Sequence, residues 1–281
     1  MIPAPFRHVR VASVEEAIAV LAEHGDEARL LAGGHSLLPL MKLRLATPGV
    51  LVDVGDLAAL RFVRTEGDEV VIGALSRHRD LERSPVLAQH LPVLAHVAGL
   101  VGDPQVRNRG TVGGSVAHAD PAADLPCALL ALDATFVVQG AAGRRTIPAG
   151  EFFTGFWATA MRADEVLVEI RVALDGANRG GWAYEKFATR SQDWATVAVA
   201  AVDGRVALAS MADRPVRASA VEAALSAGTP APEAAHLAAQ GTEPLDDLRA
   251  SAAFRRHLAR VLTERALRTA AGRAQASSST G

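Results

Sequence analysis

The sequence predicts a mixed α+β chain, and three observations predict it. A capped amphipathic helix near the start is followed at once by short β-rich runs. A long middle alternates such runs with apolar helical stretches, and the chain ends in alanine-rich helical segments. The first helix is "SVEEAIAVLAEHG": Ser13 and Glu16 make a capping box, apolar residues recur at helical spacing, and Gly25 stops it. "ARLLA" is a buried-strand candidate that ends at a glycine pair, and "VLVDV" (Val50 to Val54) is another short strand, so the opening reads as a strand–loop–helix–strand unit. "VVIGA", "ATFVVQG", "VLVEIRV", "WAYEKFA", "TVAVAAV" and "RVALASM" are further strands. They are interrupted by helices near "LPVLAHVAGLV" and after Pro121. From Ala218 the composition turns alanine-rich. "ASAAFRRHLARVLTERALRTAA" places apolar and arginine positions at helical spacing as a closing helix. The last residues, "GRAQASSSTG", have nothing apolar to bury and are expected to be disordered.

Composition narrows the function. The 281 residues suffice for one large or two to three small domains, and no repeat of 20 to 50 residues is present. Hydrophobic residues make up 49%, yet no run approaches the roughly 20 apolar residues of a membrane span, and "MIPAPFRHVR" lacks a signal-peptide core. A cytoplasmic protein is expected. Lys plus Arg number 29 against 31 Asp plus Glu, a balance that argues against nucleic acid as a partner. The one cysteine, Cys127, sits in the apolar run "LPCALLALD" and reads as a buried hydrophobe. One thiol cannot hold a Cys-rich zinc site or an all-Cys iron–sulfur cluster. No H-E-x-x-H or C-x-x-C spacing announces a metal, and no Ser/His/Asp or paired-carboxylate arrangement announces a catalytic residue.

Two glycine-rich stretches carry the chemistry. "LAGGHSLLPL" (Leu31 to Leu40) breaks an apolar run with Gly33-Gly34, and "TVGGSVAHADPAAD" (Thr111 to Asp124) repeats the idea with Gly113-Gly114. A pyrophosphate held by backbone N–H groups needs main chain that approaches without Cβ interference, and glycine allows that approach together with positive φ. Ser36, Thr111 and Ser115 add hydroxyl donors, and an acidic residue after the second pair can accept from a sugar hydroxyl or a ring N–H. Neither stretch fits G-x-G-x-x-G or G-x-x-x-x-G-K-[ST], so a dinucleotide fold other than the Rossmann or P-loop type is required.

"LAGGHSLLPLMKLRLATP", "DPQVRNRGTVGGSVAHADPAADLP" and "GWAYEKFATRSQDWATVAVAA" resemble, in order and spacing, the FAD-binding medium subunit of aerobic carbon monoxide dehydrogenase and related molybdenum hydroxylases of the xanthine dehydrogenase family. The similarity runs from the N-terminal helix to "PLDDLRASAAFRRHLARVL". It implies a flavoprotein of the PCMH or vanillyl-alcohol-oxidase type. An N-terminal α/β FAD-binding subdomain would span 1–55 and a second α+β FAD-binding subdomain 56–176. A C-terminal α+β domain like that of CO dehydrogenase flavoproteins would span 177–270, with a disordered tail over 271–281. FAD would lie noncovalently between the first two. A segment before "VRASAVEAAL" is shorter than in relatives and implies a smaller C-terminal sheet.

Carried over residue by residue, Ala32, Gly33, Gly34, His35, Ser36 and Leu37 would line the pyrophosphate from one side, and Thr111, Gly113, Gly114 and Ser115 from the other. Asp124 would hold a polar part of FAD. Val101, Leu167 and Lys186 would lie nearer the flavin ring, with Tyr184 beside them, and Lys186 could stabilise negative charge on reduced flavin. Relatives often carry Asn or Asp where Ser115 stands, so the shorter serine is expected to act through water. His35 is read as a positioning or hydrogen-bonding residue, not a covalent attachment point. Two readings stand for His118, cofactor contact or loop support, and two for Arg107 and Arg109, phosphate contact or structural ion pairs.

The implied role is an electron-transfer subunit. The molybdenum cofactor would sit on a large molybdopterin-binding partner and the 2Fe-2S clusters on a small one, in a dimer of heterotrimers associated with the inner face of the membrane through its partners. Two other roles are weighed against it. A freestanding FAD-dependent oxidoreductase would need a substrate cavity and proton acceptor that no motif announces, and an FAD-less assembly scaffold would not need both glycine pairs.

Overall fold

The computed structural model describes residues 2–174 and 181–278, the last two by backbone alone. The expected boundary between 176 and 177 lies outside the described residues. Strands β1 (Arg7–Arg10), β2 (Ala28–Leu31) and β3 (Val50–Asp53) form a parallel sheet in the order β1-β3-β2. Helix Val14–His24 joins β1 to β2 and buries Ala17, Ile18 and Leu21. Its cap is the one read from sequence: Ser13 Oγ accepts from Glu16 N at 3.1 Å, and the Glu16 carboxylate reaches back to Ala12 N at 2.7 Å. All three strands therefore end at the same edge, at Arg10, Leu31 and Asp53.

The second sheet holds β4 (Val63–Glu66), β5 (Glu69–Gly73), β6 (Thr135–Gly140), β7 (Gly143–Pro148) and β10 (Val166–Ala173) in the order β4-β5-β10-β6-β7. A hairpin, β8 (Phe153–Gly155) with β9 (Ala158–Thr159), precedes β10. The third sheet runs β11 (Trp182–Phe187), β12 (Val197–Val202), β13 (Arg205–Ala209), β14 (Val216–Arg217), each strand antiparallel to the next. Every residue of helix Asp124–Ala131 is buried, and its apolar side chains share one core with Phe136 of the second sheet and Ala198 of the third. That helix ties the sheets together, and Cys127 lies within it as the buried hydrophobe expected, burial pushing its thiol pKa up.

The closing helix, Ala252–Ser278, packs Leu258, Leu262, Ala266 and Ala270 against Val197 and Val199. It corrects the expected tail. Residues 271–278 continue the helix, because alanine and arginine are strong helix formers and Arg273 has somewhere to dock. Its guanidinium lies 3.6 Å over the Trp182 ring and donates to the Trp182 carbonyl at 2.9 Å. Residues 279–281 lie outside the described residues. No helix among the described residues is long and apolar enough to cross a membrane.

Candidate functional site

A cleft of about 770 Å³ is lined by Ala32, Gly33, Gly34, His35, Ser36 and Leu37 from the turn after β2, and by Thr111, Gly113, Gly114 and Ser115 from the second glycine pair. Val101, His118, Asp124 and Leu167 also face it. The volume falls in the range of about 300–1,000 Å³ usual for cofactor and ligand sites. Residues 80 positions apart meet here because the chain after β2 packs backbone to backbone on the second motif. An added Cβ at Gly33 would lie 2.8 Å from Gly110 Cα and nearer still to the Arg109 carbonyl oxygen. Gly34 is the residue whose φ of +78° demands glycine.

The two motifs differ in what they offer. Among the described residues, the N–H groups of Gly33, Gly34, His35, Ser36 and Leu37 donate to no protein acceptor, so this turn presents a row of open donors. The second pair is not a loop, as the sequence suggested, but the first turn of helix Val112–His118. Its amides are occupied. Val112 N donates to Ser76 O at 2.9 Å, Gly113 N to Ala74 O at 2.9 Å, Gly114 N to the Thr111 hydroxyl at 3.2 Å and Ser115 N to Thr111 O at 3.0 Å. The glycine at 113 exists for that packing, since a Cβ would lie 2.6 Å from Ala74 Cβ. What this side still offers is hydroxyl hydrogens, on Thr111 as helix cap and on Ser115.

Asp124 is 4% exposed and opens the buried helix at the cleft wall. Tyr184 Oη donates to its Oδ1 at 2.7 Å and Lys186 Nζ to its Oδ2 at 2.8 Å. Neither Tyr184 nor Lys186 lines the cleft. Both touch it through Asp124, since the buried carboxylate draws both donors to itself. Burial pushes the Asp124 carboxyl above its ordinary range, and the Lys186 ammonium and the Tyr184 hydroxyl oppose that shift.

The ambiguous residues separate. Arg107 is structural, paired with Glu82 at 3.1 Å and donating to the carbonyls of Val101 and Gly102. Arg109 has no carboxylate within ion-pair distance among the described residues. His118 lines the cleft and also stacks on Trp157, with ring centroids 5.6 Å apart. His78, Met161, Arg162 and Trp194 line the cleft without having been singled out from sequence. His78 is 4% exposed and its Nδ1 has no partner. Burial, with His35 and Arg107 nearby, pushes its pKa down to about 4. No spacing pattern marks a lone histidine of this kind.

Residues 4–174 match the FAD-binding domain of molybdopterin dehydrogenases, and residues 182–270 match the C-terminal domain of CO dehydrogenase flavoproteins. The carbon monoxide dehydrogenase medium chain of Hydrogenophaga pseudoflava is 44% identical over 283 residues, covering 96% of this chain and 98% of that one. Subunit alpha of the 6-hydroxypseudooxynicotine dehydrogenase complex of Paenarthrobacter nicotinovorans is 36% identical, covering 98% and 97%. A chain of the solved structure of carbon monoxide dehydrogenase from Hydrogenophaga pseudoflava that lacks the Mo-pyranopterin moiety of the molybdenum cofactor superposes with a TM-score of 0.92 and 44% identity, over 98% of this chain and 100% of that one.

Proposed function

The chain belongs to the family of FAD-binding subunits of molybdopterin dehydrogenases, and on that premise we propose that it is the electron-transfer flavoprotein of a three-chain molybdenum hydroxylase. It takes electrons from the 2Fe-2S clusters of a small partner, fed in turn by a molybdenum cofactor on a large one, and releases them to an external acceptor. The observation that carries the reading is the convergence of both glycine motifs on one cleft with a buried carboxylate in its wall.

The residues present fit FAD. Five open amides, Gly33 to Leu37, suit phosphate oxygens, and the hydroxyls of Thr111 and Ser115 face them from the opposite wall. Asp124, held by Tyr184 and Lys186, presents a fixed acceptor to a polar edge of the cofactor. Leu167 and Val101 supply apolar lining that excludes water. FAD, when bound, supplies the redox chemistry that no side chain here can. One buried cysteine holds no cluster, so the electrons must arrive from another chain. Relatives named for carbon monoxide and for 6-hydroxypseudooxynicotine align with 96% and 98% of this chain. That supports placing substrate choice on the large partner, with this subunit handling electrons only. The assembly is a dimer of heterotrimers in the cytoplasm, associated with the inner membrane face through its partners.

Coexpression with a large molybdopterin-binding chain and a small 2Fe-2S chain is expected to yield a stable complex whose yellow colour bleaches on adding substrate. Acid precipitation is expected to release FAD, one per chain, into the supernatant. Colour left in the pellet, or FMN in the supernatant, would contradict noncovalent FAD. A single purified chain that turned over an organic substrate would replace the electron-transfer reading with a freestanding oxidoreductase.

A further inference from the structure

β1, β2 and β3 end together at Arg10, Leu31 and Asp53, and the carboxyl ends of parallel strands are where such sheets take ligands. A second cavity of about 400 Å³ lies there. It abuts the cleft, since Ala32 and Thr111 line both, and it is lined by four arginines, Arg10, Arg61, Arg77 and Arg109, against two carboxylates, Asp53 and Asp56. Two of the arginines are committed. Arg10 is shared between Asp53 at 3.9 Å and Asp56 at 3.3 Å, and Arg61 grips both oxygens of Asp80 at 2.7 and 2.9 Å. Arg77 and Arg109 have no carboxylate within ion-pair distance among the described residues, although Arg77 lies in the field of Asp80.

Their placement is tied to the cleft. Arg77 stands opposite Thr111 in an antiparallel bridge, and residues directly opposite one another put their side chains on the same face. Arg109 packs its carbonyl against Gly33. A diphosphate carries negative charge, whereas both glycine motifs offer only neutral donors. Two arginines line the cleft itself and are engaged there, Arg29 donating to the carbonyls of Asp26 and Ala28 and Arg162 lying in the field of Glu165. We propose that Arg77 and Arg109 form a phosphoanion subsite behind the first glycine turn that neutralises the cofactor's diphosphate. The proposal rests on the functional reading above and adds to it the source of the positive charge.

The test is an FAD titration of full-length apoprotein, followed by flavin fluorescence at low and at high salt, with Arg77→Gln, Arg109→Gln and the double variant. Each single variant is expected to weaken FAD about threefold at low salt and the double about tenfold. The differences should close at high salt as the charges are screened. Arg77→Lys/Arg109→Lys should recover most of the loss, which a purely structural role would not allow. Inorganic pyrophosphate should displace FAD from the parent more readily than from the double glutamine variant. A parent that binds no FAD overturns the functional reading. A parent that binds FAD alongside variants of equal affinity and equal salt slope overturns the subsite alone. Variants that lose pyrophosphate binding yet keep FAD affinity would make the cavity a free-anion site and overturn its assignment to the cofactor.

Discussion

Replacing Lys186 by methionine isolates the buried carboxylate at the cleft wall. The side chains of Lys186 and Asp124 are 9% and 4% exposed and meet at 2.8 Å, so solvent screens the pair little. Removing one partner of a buried pair typically costs about 3–5 kcal/mol, because the remaining charge has lost its counter-ion. The sign of the pH dependence follows from Asp124, whose folded pKa is already raised. A raised carboxyl favours the protonated fold: its contribution is present below the ordinary carboxylate range and is lost as pH rises through the folded value. Lys186→Met raises that value further. The deficit should therefore be largest near pH 8 and shrink by about 1.4 kcal/mol per unit as pH falls toward the ordinary carboxylate range. At pH 8 the melting temperature should drop on the order of 10 °C, at about 2–4 °C per kcal/mol. The variant Asp124→Asn/Lys186→Met, which removes both charges, should lose less than the sum of the single variants. A Lys186→Met deficit that is the same at pH 5 and pH 8, or strict additivity in the double variant, would refute the idea that the two charges are coupled in a dry environment.

Three further outcomes are expected. Gly33→Ala drives a methyl into the backbone of Arg109 and Gly110 and should cost about 1–3 kcal/mol with loss of FAD binding. Gly34→Ala meets only the movable side chains of Leu38 and Leu31 and should cost about 1–2 kcal/mol through its left-handed φ, and equal melting of parent and Gly33→Ala would refute the contact. Ending the chain at Ala270 removes the Arg273–Trp182 contact and should lower the melting temperature by a few degrees, about 1–3 kcal/mol; an unchanged melt would mean the last helical turns do not dock. His78, whose pKa falls from 6.5 to about 4, contributes stability that is present above pH 6.5 and lost as pH falls through 4, about 3 kcal/mol in all. His78→Gln should flatten that limb of a melting-temperature profile, and a parallel profile would count against it.

What could be read from sequence follows the physics of burial. β2, β3, β5, β6 and β10 to β13 announce themselves as apolar or β-branched runs because at least one face of each is buried. β1 (RHVR), β4 (VRTE) and β7 (GRRTIP) were silent. They are edge strands, and edge strands carry charge that discourages pairing with other chains, so they lack the apolar signature. The first glycine motif was legible as an open turn. The second was misread because two glycines lower helix propensity; here Thr111 caps the turn and close packing on Ala74 needs residues without a Cβ. The Asp124–Tyr184–Lys186 cluster joins residues about sixty positions apart, and no local pattern encodes such a meeting.

The seam where Gly33 lies against Arg109 and Gly110 bears on how the cofactor comes and goes. A pocket gated by side chains can admit a ligand by rotamer hops within nanoseconds. Here the seam beneath the first glycine turn is main chain against main chain, and no side-chain rotation opens it. Parting the turn after β2 from the chain before helix Val112–His118 is a rarer event, one that would strain the hydrogen bonds Val112 N and Gly113 N donate to the carbonyls of Ser76 and Ala74. Where the diphosphate is gripped across that seam, its release becomes a property of local opening rather than of side-chain motion, even from a cleft whose polar contacts were individually weak.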